Sequence, residues 1–188
     1  WGLYNSNLGY VMDYGEDCFE NFINFILEIP PVIGKKPYKN EYGKWAHDNN
    51  GQLKYKEVNK PQYAIAYNGS RFDFHFVIDE LSRRNVEIEN LIINNGAILG
   101  FSIKHNNLKF WDINQHIAGP LKKALKDFKC DTQKGDFEHF KVKSWTDVYQ
   151  YKDEWEPYLE GDVLGLSQLV EKYSNTVYHI FDKVNGLE

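Results

Sequence analysis

The chain has 188 residues, of which 42% are hydrophobic and 16% aromatic, with 22 basic residues against 27 acidic ones and a formal net charge of −5. That length suits one domain with a core of its own, and the composition excludes a disordered chain. The acidic balance excludes a protein that holds nucleic acid through bulk electrostatics, which needs an excess of Lys and Arg. Only local basic patches run the other way, at Arg83-Arg84, Lys122-Lys123 and Lys141/Lys143. No stretch approaches the roughly 18 apolar residues of a membrane span, and the start "WGLYNSNLGY" lacks the basic and apolar regions of a signal peptide. An intracellular, soluble protein without membrane contact is expected. Cys18 and Cys130 are too few for a disulfide framework and read as ordinary reduced thiols. The first residue, Trp1 rather than Met, reads as the start of a fragment.

In chain order, "LGYVMDYG" (8–15) alternates like a strand, and 16–29 carries Phe19, Phe22, Ile23 and Ile26 at helical spacing up to Pro30-Pro31. Residues 30–60 are polar, rich in Pro, Gly, Asn and Lys, and without sustained periodicity, which reads as a long excursion from the core. "QYAIAY" (62–67) has the apolar character of a strand covered on both faces. The helix predicted next, over 73–85, aligns Phe74, Val77, Ile78 and Leu81 on one stripe. "AILGFSIK" (97–104) and "LKFWDI" (108–113) read as a hairpin, and 117–128 as a helix with Ile117, Leu121, Leu125 and Phe128 inward. After an irregular stretch over 129–152, residues 156–184 form a long helical pattern through Leu166, Leu169, Val170, Tyr173, Val177 and Ile180, with Pro157 near its start. This order predicts an α/β fold, a mixed sheet flanked by helices in a single domain over 1–188. A ribonuclease-H-like layout is compatible with it, but pattern alone does not single that layout out.

Two places carry candidate chemistry. In "YNGSRFD" (67–73), Asp73 follows a buried strand and opens a helix, so its carboxylate serves either as a helix cap or as a functional group at the sheet end. Asn68 is likewise either a turn residue or a contact. In "YLEGD", Tyr158 and Asp162 are four apart, which places phenol and carboxylate on one helical face. That pair suits a hard cation such as Mg²⁺ or Mn²⁺, or else is part of a solvated acidic helix start beside Glu154, Glu156 and Glu160. The six histidines form no tight ligand pair, and no P-loop, dinucleotide fingerprint or nucleophile elbow is present.

Taken in order, "YNGSRFDFHFVIDEL", "LKDFKCDTQKGDF" and "YLEGDVLGL" resemble the 3′–5′ proofreading exonuclease region of protein-primed family B DNA polymerases, the group of bacteriophages, adenoviruses and linear plasmids. That family's second exonuclease motif, Asn, two or three residues, Phe or Tyr, then Asp, is matched by Asn68, Phe72 and Asp73. Its third motif, Tyr, three residues, Asp, is matched by Tyr158 and Asp162, and its Lys-Gly-Asp lysine by Lys134. The resemblance implies a ribonuclease-H-like fold and hydrolysis of 3′-terminal nucleotides by a two-metal mechanism with Mg²⁺ or Mn²⁺. Asp73 and Asp162 are then metal ligands, Tyr158 orients water or phosphate, and Lys134 supports developing charge. Asn68 and Phe72 hold the single-stranded DNA 3′ end, the ring by stacking. Implied partners in the parent protein are a polymerase domain and a priming terminal protein, in a host cytoplasm or in an organelle.

The family's first motif, Asp-x-Glu on the first strand, has no counterpart here. Asp13, Glu16 and Asp17 lie in a later strand and turn and do not take its role. Two of four metal ligands and their strand are thus absent from these residues, as is the polymerase domain, so the isolated chain is expected to be a weak or inactive nuclease. The family's Ser/Thr-Leu element falls near "WDINQHIAGPLKKAL", where Ile113-Asn114 or Gly119-Pro120-Leu121 stands, and no ligand is assigned there. Two other readings stay open: a non-catalytic module that binds single-stranded DNA or terminal protein, and an unrelated α/β domain with coincidental matches.

Overall fold

The computed structural model describes residues 1–5, 7–132 and 135–185, with side chains described as far as residue 180. Its chain divides into two compact units, one comprising Trp1–Asn24, Ala66–Asn68 and Asp112–Glu188, the other Phe25–Ile65 and Gly69–Trp111. Strands are β1 (Gly2–Asn5), β2 (Gly9–Met12), β3 (Val32–Pro37), β4 (Tyr55–Lys60), β5 (Gln62–Ala66), β6 (Ile88–Asn94), β7 (Ala97–Ile103) and β8 (Leu108–Asp112). Helices are α1 (Cys18–Glu28), α2 (Asp73–Arg83), α3 (Leu121–Asp127), α4 (Trp145–Gln150) and α5 (Lys152–Asn185). No helix among the described residues is long and apolar enough to cross a membrane.

The second unit is built on a four-stranded sheet in the order β5-β8-β7-β6. Strands β6, β7 and β8 are antiparallel neighbours. β5 and β8 start side by side, where the Gln62 amide donates to the Asn107 carbonyl at 3.1 Å. The β6–β7 turn carries Asn95 and Gly96, both at positive φ, as a tight hairpin turn requires. Phe74 of α2 meets Phe101 and Phe110 edge-on at 5.7 and 5.9 Å, and those two rings stack at 4.4 Å. Val77 and Leu81 of α2 join them in the core. Asn106, fully buried, donates to the carbonyls of Ile26 and Ile29 and accepts from the Leu108 amide, so it satisfies backbone groups at the end of α1.

The excursion over 30–60, for which the sequence shows no sustained periodicity, carries two paired strands. β3 pairs antiparallel with β4 from Val32↔Lys60 to Pro37↔Tyr55, and the chain between them folds into a small meander with bridges Lys39↔Trp45 and His47↔Leu53. Both meander turns use one device. Asn40 accepts the amides of Tyr42 and Lys44 and precedes Gly43 at φ +74°; Asp48 accepts those of Asn50 and Gln52 and precedes Gly51 at φ +79°. Those two amide bonds hold the Asp48 carboxyl below its ordinary range.

In the first unit, the β1–β2 hairpin lies against α5, where a Cβ on Gly2 would come within 3.1 Å of Leu159. Trp1 packs on Phe22, and Tyr14 on Tyr149 and Trp155. α3 buries Leu121, Ala124 and Leu125. Gly165 lets α5 approach Leu125 so closely that a Cβ there would be 2.9 Å from Leu125 Cδ1. Burial first, then the charges of Glu160 and Glu156, pushes the Tyr10 phenol up to about 12.

Several boundaries differ from expectation. β1, β6 and α4 were not foreseen, and the helix predicted from 117 begins at Leu121, after a 3-10 turn over Ile113–Gln115. Phe19 and Ile180, which stand at helical spacing with the apolar residues of their helices, are exposed.

Candidate functional site

The end of β5 leads into Tyr67 and Asn68. Asn68 has φ +68°, a left-handed conformation that asparagine tolerates better than other side chains bearing a Cβ. Its amide donates to Asp112 Oδ1 at 2.8 Å, and the same oxygen accepts from the Asn114 amide at 3.0 Å. Asp112 closes β8 and is wholly buried. Beside it, the Tyr67 hydroxyl donates to the Gly119 carbonyl at 2.6 Å, and its titration is raised by burial and then by the Asp112 charge. Asp112 is thus the carboxylate that fixes Asn68, and the sequence reading did not select it. The signal was present: an aspartate at the end of an apolar strand, the same pattern that drew attention to Asp73.

After the 3-10 turn Gly69–Arg71, the second unit presents Phe72 and Asp73 together. Phe72, not Asp73, occupies the N-cap position of α2, and its ring makes no capping hydrogen bond. Asp73 is the first helical residue, where the helix dipole favours a carboxylate, and it is exposed. The Phe72 ring is 62% exposed, an arrangement that costs apolar hydration and leaves a ring face open to a ligand.

Tyr158 and Asp162 lie one turn apart on α5 of the first unit, both half-buried. The Tyr158 ring is flanked by His139 at 5.3 Å and Phe137 at 5.8 Å. The stretch before those residues is moored to α5 through Thr132, whose amide and hydroxyl both bond the Gln168 side chain at 3.0 Å. Lys134 lies outside the described residues.

A divalent cation of the Mg²⁺ or Mn²⁺ type needs several hard oxygen donors. The aspartates at 73 and 162 are of the right type, yet no group of three His, Cys, Asp or Glu side chains able to hold a metal is found among the described residues. These donors alone do not complete a metal site. Most of the basic residues noted in the sequence are paired with carboxylates: Arg83 and Arg84 with Asp79 and Glu80, Lys122 with Asp136, Lys123 with Asp127, and Lys141 with Glu138 and Glu154. Cys130 is buried, which pushes its thiol up and makes it a poor nucleophile.

Comparison with known proteins follows the same residues. Residues 54–156 match the sequence profile of a family described as DNA polymerase type B, organellar and viral, a stretch that contains Asn68, Phe72 and Asp73. A DNA polymerase of Kluyveromyces lactis is 26% identical over 158 residues, which is 81% of this chain and 13% of that protein. A DNA-directed DNA polymerase of Enterobacteria phage PRD1 is 26% identical over 173 residues, 92% of this chain and 23% of that protein. The chain thus spans less than a quarter of either relative's length. No solved structure matches it significantly. With the profile running through more than half of its residues, the chain belongs to the organellar and viral type B DNA polymerases.

Proposed function

We propose that this chain is the 3′–5′ exonuclease region of a protein-primed type B DNA polymerase, with a ribonuclease-H-like fold, and that it acts on the 3′ end of single-stranded DNA. The observation that carries the reading is the Tyr158–Asp162 pair, one turn apart and half-buried on α5, in a chain whose family match already includes Asn68, Phe72 and Asp73. Asn68, held through its amide by Asp112, aims its side chain from a fixed backbone. Phe72 offers an exposed ring on which a terminal base stacks. Tyr158, supported by His139 and Phe137, orients a water or phosphate oxygen, and Lys134 supports developing charge. Asp73 and Asp162 are the carboxylates available to Mg²⁺ or Mn²⁺, which when bound with further ligands would activate water and stabilise the leaving oxygen.

Since only two such carboxylates are assigned, hydrolysis by the isolated chain is slow. With Mn²⁺ and a 5′-labelled single strand, gels should show residual stepwise shortening from the 3′ end. Asp73→Ala or Asp162→Ala should lower its rate by about 10²-fold or more, the scale of losing an electrostatic stabiliser. Shortening from the 5′ end, or a rate that neither substitution moves, would contradict the reading. That no complete donor set is found among the described residues favours one second reading, a module that binds single strands or terminal protein without hydrolysis. Binding without metal, unchanged by both substitutions, together with no shortening at all, identifies it.

A further inference from the structure

The ordered excursion formed by β3, the meander and β4 carries a charge opposite to that of the chain. Between residues 32 and 60 stand seven lysines, at 35, 36, 39, 44, 54, 56 and 60, against the three acids Glu41, Asp48 and Glu57, in a protein of net charge −5. All seven lysines are exposed. Among the described residues none of them forms an ion pair, whereas Lys104, Lys122, Lys123, Lys141 and Lys152 each hold a carboxylate. The register sharpens this. Lys36 stands directly opposite Lys56, and Lys60 opposite Val32 shares their face, since directly opposed residues and every second residue along a strand point the same way. The Lys60 stem lies over Gly34 on that face, where a Cβ on Gly34 would come within 2.2 Å of it. Like charges directly opposed across a ladder are destabilising unless something anionic lies between them.

The same arm exposes large aromatic rings. Tyr42 is 78% exposed, Tyr55 55% and Trp45 49%, and the Lys39 ammonium sits 5.2 Å from the Trp45 ring centre. Cations alternating with open rings suit a polyanion whose bases are unstacked and free to lie on those rings, whereas a duplex offers its phosphates but not its base faces. We propose that the arm over residues 32–60 is a second, sequence-independent grip on single-stranded DNA, with Lys36, Lys56 and Lys60 on the phosphates and Trp45 and Tyr42 under the bases. The inference rests on the reading above that this chain handles a single strand. It adds a contact that the exonuclease motifs do not contain.

The test is fluorescence anisotropy of a labelled oligothymidylate titrated with the whole 188-residue chain in EDTA, over a series of salt concentrations. Replacing the three lysines together (K36Q, K56Q and K60Q) should reduce the slope of log affinity against log salt by about 2, from roughly 0.7 per phosphate contact on a single strand. Trp45→Ala should weaken binding about fivefold or more, the lower end for losing one stacked base. The double variant K122Q and K123Q, at lysines already paired with carboxylates, should leave the slope unchanged. The triple variant should also keep or raise its urea midpoint, because the Lys36–Lys56 repulsion is relieved; a misfolded variant would fail that check, and Trp45→Ala would then decide alone. An unchanged slope in the folded triple variant overturns the proposal. So does a duplex that binds as tightly as the single strand with the same dependence on Trp45, or an arm that pairs copies of the chain without affecting DNA. Chemistry is silent in EDTA, so failure of the nuclease reading shows only in the Mn²⁺ shortening assay.

Discussion

Asp112→Ala is expected to destabilise the chain by about 3 kcal/mol, because two amides that now share its buried oxygen would lose their acceptor, at roughly 1–3 kcal/mol for each buried unsatisfied group. A backbone amide cannot be removed along with its partner, so the cost falls on Asn68 and Asn114 directly. Asp112→Asn keeps a side-chain oxygen and should cost less than the alanine. Asp79→Ala, which removes an exposed carboxylate from the Arg83 pair, should cost under about 0.5 kcal/mol. Urea unfolding of the three variants, followed by far-ultraviolet circular dichroism and by tryptophan fluorescence, gives the order. Equal midpoints for Asp112→Ala and Asp79→Ala would mean that Asp112 does not hold the turn.

Phe101→Ala should be costlier still, about 4 kcal/mol, within the range for deleting a buried phenylalanine ring. Phe101 is 2% exposed and is the partner of both an edge-on contact with Phe74 and a stack with Phe110, so its loss removes two ring contacts and leaves a cavity under α2. Phe101→Leu retains most of the volume and should recover a large part of the loss. If both substitutions cost less than about 1 kcal/mol, the aromatic cluster is not the core of the second unit. Urea midpoints measured as for Asp112 decide between these outcomes.

These two residues also mark where sequence reading succeeded and where it stopped. α2 was legible because Phe74, Val77 and Leu81 recur at helical spacing and all three are buried. The β7–β8 hairpin was legible because its apolar runs are interrupted by a short polar turn. The arm over residues 32–60 was not, since its strands are exposed on nearly every position and so show no alternation of apolar and polar residues; pairing of backbone and two side-chain-closed turns hold it instead. β6 was missed for a related reason, an edge strand whose Leu91, Ile92 and Ile93 all remain exposed. Of the candidate site, Asn68, Phe72 and Asp73 could be selected from their motif, but Asp112 carries its role through a contact 44 residues away. Only the fold brings that pair together.

The central claim is that Asn68 and Phe72 receive the 3′ end of a single strand, and photocrosslinking tests it without requiring turnover. An oligothymidylate carrying thiothymidine at its 3′ terminus, irradiated with the chain in EDTA and digested, should attach to the peptide containing Phe72. The same label at the 5′ terminus should not attach there, and Phe72→Ala should remove the 3′ adduct while leaving overall binding through the lysine arm. Equal labelling of the Phe72 peptide from both ends of the strand, or a 3′ adduct that maps elsewhere and survives Phe72→Ala, would contradict the account.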